Sequence, residues 1–243
     1  MKRKFSALAW AALWILCVAL TSQGQKVWEK PYQTWTLSEA LQILVNSPWG
    51  QSNYERIQVG SRPVSTYTVI VSLRSALPVR QALLRKKQLE MNYDKFTSAD
   101  KARFDNETKE FLECPDCAKY YMLTIRSPVA PGSQLPNAEY ERAFDVIGKL
   151  KDLSLQDLKP YLTLRNDSGA SRELVGFIPP KGEGGDALFV FARFDDHRQP
   201  LLTTSNKKFF LKIDEKLFDG RSAPMKSITF NVARLTFNGE VVF

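Results

Sequence analysis

Apolar residues in the segment after Trp35 recur at helical spacing. Leu37, Ala40, Leu41, Leu44 and Val45 fall at i, i+3, i+4, i+7 and i+8, one face of a helix. Thr36 and Glu39 frame its start as a capping box, the hydroxyl accepting the amide three residues on and the carboxylate reaching back. Asn46 suits a left-handed cap and Pro48 forbids continuation, so the pattern predicts a helix over 36–46. The period then drops to two, with Tyr67, Val69, Val71 and Leu73 alternating with Thr68, Ile70 and Ser72 as a strand buried mainly on one face. Pro78 opens a run of strong helix formers over 79–92. Another helix is predicted from Ser98 to Glu113, capped by Thr97 or Ser98. A strand over 119–126 follows, with Tyr121, Leu123 and Ile125 alternating. A Pro-containing loop (127–136) and a helix over 138–150 complete this half.

From Tyr161 the pattern is that of β-structure. Candidate strands lie at 161–165, 173–178, 187–194, 208–213 and 227–237, separated by Gly, Pro and Asn. Asn238-Gly239 is a strong hairpin signal, because both residues tolerate the positive φ of a type I′ turn. Helices with two strands early and an antiparallel β region late predict an α+β fold, read as one domain over 25–243 with a possible subdivision near 151–160.

The first two dozen residues describe a destination. Lys2, Arg3 and Lys4 form a basic start, 5–20 is uncharged and apolar, and Ser22 and Gly24 are small residues suited to signal peptidase. The apolar run falls short of the roughly 20 residues a membrane-spanning helix needs. The expectation is a signal peptide over 1–24, cleavage after Gly24, no membrane span afterwards, and a periplasmic or secreted protein. Cleavage also removes three of the charges behind the formal +8. What remains is mildly basic, without the clustered cations and interleaved aromatics of a nucleic-acid binder. Cys17 leaves with the signal. Cys114 and Cys117 remain, and an even number of thiols in an oxidising compartment points to a disulfide.

Cys114-Pro115-Asp116-Cys117 is the one motif with chemistry in it. A redox-active pair ordinarily sits at a helix N-terminus, where the dipole stabilises a thiolate. Here it follows a predicted helix and precedes a strand, so a structural disulfide is the first reading and a thiol–disulfide protein the alternative. A zinc site needs about four N or S ligands, and beyond the two thiols the chain offers His197 alone. No metal and no cofactor are expected. Ser98-Ala99-Asp100-Lys101 matches S-x-x-K, but its companion motifs are missing downstream, so Ser98 reads as a helix cap. Asp195-Asp196-His197 lies in a polar turn and is read as solvated. No catalytic residue is assigned, although a hydrolase with a dispersed site stays open as a third class.

Two surface candidates remain. Arg74, Arg80, Arg85, Lys86 and Lys87 are five cations uninterrupted by an acid, a stripe that could attract an anionic envelope component or a protein partner, or simply a solvated helix face. Trp28, Trp35 and Trp49 surround the capped helix. They either present an adhesive surface or anchor the N-terminal segment, and the second is favoured because Trp35 precedes the cap and Trp49 follows the stop. Trp35-Thr36-Leu37-Ser38-Glu39-Ala40 followed by Ile43-Leu44-Val45-Asn46-Ser47-Pro48-Trp49 resembles the opening of an uncharacterised set of bacterial exported proteins. That resemblance implies an envelope protein and no activity. The expected function is non-catalytic binding in the envelope or outside the cell.

Overall fold

The structure, a computed structural model, describes residues 26–59, 62–126, 146–181, 185–218 and 227–243. The stretch read as a signal peptide, the Pro-containing loop and most of the helix expected over 138–150 lie outside the described residues.

Helix α1 (Leu37–Val45) starts as its capping box dictates: Thr36 Oγ1 accepts from the Glu39 amide at 3.2 Å, and the Glu39 carboxylate accepts from the Thr36 amide at 2.9 Å. Its buried residues are Ala40, Ile43 and Leu44, while Leu37 is exposed and Leu41 half-buried, so the packed face is rotated toward Ile43. The stop also differs in detail. Asn46 has φ −146° rather than a left-handed cap, and Ser47 ends the helix instead. Its hydroxyl donates to the Ile43 carbonyl at 2.6 Å and accepts the amides of Trp49 and Gly50. Gly50 lies so close beneath α1 that a Cβ there would overlap the Ile43 and Leu44 carbonyls.

The described residues form ten strands: β1 (Gly50–Val59), β2 (Arg62–Leu73), β3 (Tyr120–Arg126), β4 (Leu162–Asn166), β5 (Ser171–Ile178), β6 (Ala187–Ala192), β7 (Lys208–Ile213), β8 (Ser227–Asn231), β9 (Thr236–Phe237) and β10 (Glu240–Val241). The first eight form one sheet in the order β1-β2-β3-β6-β5-β4-β7-β8, with every pairing antiparallel. The fold is therefore α+β with a strong β character. The division into an early helical half and a late β region is only partly met, since β1, β2 and β3 belong to the same sheet as the later strands. The sheet curls as a half-barrel, and at one point its two edges touch: Gln51 Nε2 on β1 donates to the Thr229 carbonyl on β8 at 2.8 Å. Alternate residues point into the curl, among them Val71, Leu123, Phe189, Leu164, Phe209 and Phe230, in one apolar cluster that also takes in Trp35, Ile43 and Trp49. β2 is covered on its other face too, where Ser72 Oγ donates to the Leu44 carbonyl at 2.9 Å.

Helix α2 (Leu77–Glu90) carries Pro78 in its first turn, and α3 (Ser98–Glu113) is capped by Thr97, whose hydroxyl accepts from the Asp100 amide, with Ser98 already inside the helix. Two short helices, α4 (Val146–Lys151) and α5 (Leu155–Leu158), lead into β4. Ser154 caps α5, and Leu158 joins the common core. The strand expected over 227–237 is broken at Val232–Arg234 by a 3₁₀ turn. β9 and β10 then make a small hairpin whose turn residues Asn238 and Gly239 take φ of 50° and 83°, as the Asn-Gly pair requires.

Candidate functional site

The disulfide sits where α3 ends. Cys114 adopts a left-handed conformation (φ 47°) as the C-cap, and its amide donates to the Glu110 carbonyl. Such a conformation is uncommon outside glycine. Pro115–Ala118 then form a single 3₁₀ turn, which brings the Cys117 amide onto the Cys114 carbonyl at 2.9 Å and the two Cα atoms to 5.3 Å, with the sulfurs bonded. The two cysteines are unequal. Cys114 is half-buried, whereas Cys117 is 8% exposed.

Three arginines from separate elements converge on this corner. Arg80, in the first turn of α2 and only 6% exposed, donates through Nε to the Leu112 carbonyl at 3.0 Å and through Nη1 to the Ser75 carbonyl and to Cys117 Sγ, the last at 3.3 Å. It thereby occupies the carbonyl end of α3, where helix geometry leaves acceptors unpaired and the dipole favours a cation. Arg193, just past β6, donates through Nε to the Cys117 carbonyl at 2.6 Å and through Nη2 to the main-chain oxygen of Phe243. Its guanidinium is stacked on Tyr121, 4.4 Å from the ring centre, and on Phe243 at 5.4 Å. Arg74, half-buried just past β2, lies over the Phe111 ring at 5.3 Å.

Repulsion from the other two shows in the ionisation of Arg80. Burial lowers the Arg80 guanidinium to about 10, and the charges of Arg193 and Arg74 add to that effect. Burial also lowers Arg74, opposed by Asp186. Arg193 is lowered by burial, with Tyr121 opposing, and burial raises the Tyr121 phenol. Asp186, the acid whose charge reaches Arg74, is already held by Arg126 through two contacts of 2.5 and 3.2 Å. The corner is thus a concentration of positive charge set in aromatic and sulfur surroundings.

The cationic stripe read from the sequence does not survive as one surface. Arg74 and Arg80 meet at the disulfide corner. Arg85 is buried elsewhere, its Nε donating to the Trp35 carbonyl at 2.9 Å and its Nη1 lying 3.6 Å from Asp94. Lys86 pairs with Glu90 at 2.6 Å, and exposed Lys87 lies over Phe104. The aromatic group divides likewise. Trp35 and Trp49 are wholly buried, so neither offers a binding surface, while half-buried Trp28 meets the edge of Trp49 at 5.5 Å. Trp49 also donates to the Val242 carbonyl at 2.9 Å and contacts Phe237, joining the N-terminal segment to the β9–β10 hairpin.

Asp195 and His197 do not form an acid–base pair. Asp195 Oδ1 accepts the main-chain amides of His197 and Gln199, shaping the turn, and the His197 side chain is exposed. Among the described residues no group of three or more His, Cys, Asp and Glu is placed to hold a metal ion, and no helix is long and apolar enough to cross a membrane. Arg193, Tyr121 and Phe111 belong to the candidate site although the sequence did not single them out for it. Nothing in a strand-end arginine or an alternating tyrosine marks such a role. No protein-family model, no curated protein and no solved structure matches this chain.

Proposed function

We propose that this is an exported binding protein of the bacterial envelope or the surrounding medium, and that it captures an anionic group at the corner formed by Arg74, Arg80 and Arg193. The observation that carries the reading is the gathering of these three guanidiniums beside an acid, Asp186, that Arg126 already occupies. Cations held together in partly desolvated surroundings are stabilised by an incoming phosphate or carboxylate, and a guanidinium fork suits either group. Arg80 and Arg193 are fixed by their carbonyl acceptors and act as a rigid base. Arg74 stacks on Phe111 and is the member freest to turn toward a ligand. The signal-like N-terminus and the disulfide support an extracytoplasmic setting.

Titration calorimetry of the full chain with pyrophosphate and with a polygalacturonate oligomer, at low and at physiological salt, tests the proposal. Binding should weaken with salt. Arg74→Gln should reduce affinity roughly 10- to 100-fold, the equivalent of one charge-assisted hydrogen-bonded contact. Affinity unchanged by that substitution, or no heat with either anion at low salt, would remove the site.

A further inference from the structure

We infer that the Cys114–Cys117 disulfide is redox-active, an oxidant of exposed dithiols in partner proteins, with Cys114 the sulfur attacked and Cys117 the leaving group held by Arg80. This activity does not depend on anion capture. Three observations lead to it. Cys114, half-buried at the helix terminus, is the more exposed of the two, whereas Cys117 is buried. Arg80 Nη1 donates to Cys117 Sγ at 3.3 Å, so the sulfur that would carry the negative charge already faces a guanidinium. Arg193 grips the carbonyl of the same residue at 2.6 Å and adds a second positive charge nearby. A cation beside the leaving sulfur stabilises the reduced form, which makes the disulfide a stronger oxidant.

The exchange balances as follows. One thiolate of the partner dithiol attacks Cys114 Sγ, and the Cys114–Cys117 bond breaks with its electron pair passing to Cys117 Sγ, paired with Arg80. The partner's second thiolate then attacks its own sulfur in the mixed disulfide, releasing Cys114, which takes up a proton. The partner leaves as a disulfide, two electrons poorer. The protein holds one thiol and one thiolate, and the second proton goes to solvent.

Two measurements on the full chain decide the matter. The oxidised protein is equilibrated with reduced and oxidised glutathione and with a reduced dithiol peptide, and free thiols are counted by alkylation and mass spectrometry. Stoichiometric peptide oxidation is expected, together with reduction at glutathione ratios that leave structural disulfides intact. In Cys114→Ser, the Cys117 thiol should titrate at least one pH unit below the ordinary value of about 8.5. Arg80→Gln should move it back up and Arg80→Lys should preserve it. Should the Arg80 variants fail to fold, as circular dichroism would report, the first two readouts decide alone. A disulfide that stays oxidised in excess reduced glutathione, or a Cys117 thiol titrating at or above 8.5, overturns the inference.

Discussion

Replacing Trp49 by alanine probes how the chain's outer segments are held to its body. The indole is completely buried, meets Trp28 and Phe237 edge-on, and donates from Nε1 to the Val242 carbonyl. Removing a buried tryptophan costs about 3–5 kcal/mol, cavity included. The edge contacts, worth about 0.5–1.5 kcal/mol each, are lost together with it and do not add independently. At about 2–4 °C per kcal/mol for a chain of this size, the melting temperature should fall by about 6–20 °C. Trp49→Phe separates the components. It keeps an aromatic ring and removes the donor, leaving the Val242 carbonyl unpaired at a cost of about 1–3 kcal/mol. Urea unfolding followed by far-UV circular dichroism gives both values, with the m-value checking that the denatured state is unchanged. A loss below about 1 kcal/mol for Trp49→Ala would show that the indole does not tie these segments together.

Other positions test other parts of the argument. Arg85→Ala should destabilise by about 1–3 kcal/mol, because it leaves the buried Trp35 carbonyl without its donor, while Lys87→Ala should change stability by less than about 0.5 kcal/mol. Equal effects in urea titrations would refute the division of the cationic stripe. Glu39 is lowered to about 2, first by the Lys30 ammonium and then by the Thr36 amide. Its folded value lies below its unfolded one, so its contribution is present above about pH 4.5, the unfolded value, and is lost as pH falls toward 2. The pH dependence of the unfolding midpoint should flatten across that window in Glu39→Gln, and an unchanged profile would mean that the capping box does not persist in solution.

Local chemistry was legible where a few neighbouring residues determine the outcome. Thr36 and Glu39 form the expected box, and Asn238-Gly239 forms the expected turn. β1 escaped notice because Gln51-Ser52-Asn53-Tyr54-Glu55-Arg56 shows no apolar alternation, as suits an edge strand. Arg80 and Arg85 read as members of one cationic stripe, binding or solvated, because their acceptors, the carbonyls of Leu112 and Trp35, belong to other elements. A main-chain carbonyl is present at every position, so no sequence pattern announces that a distant one will receive a guanidinium. The three-arginine corner was invisible for the same reason. It depends on β2, α2 and the end of β6 meeting, and strand order follows from global packing rather than local propensity.

Two contacts between the early and the late ends of the chain also set the order in which the molecule can be completed. Trp49 and the Val242 carbonyl are 193 residues apart in the chain, and the β1 edge meets β8 across a separation of 178 at Gln51 and Thr229. During synthesis the N-terminal aromatic segment and β1 emerge long before either acceptor exists. High contact order slows such closure, because loop entropy is lost before the distant contacts form. Until residues 227–243 arrive, the nascent chain lacks β8 and exposes the apolar faces of Trp28 and Trp49. That interval is when holding chaperones and aggregation compete for it.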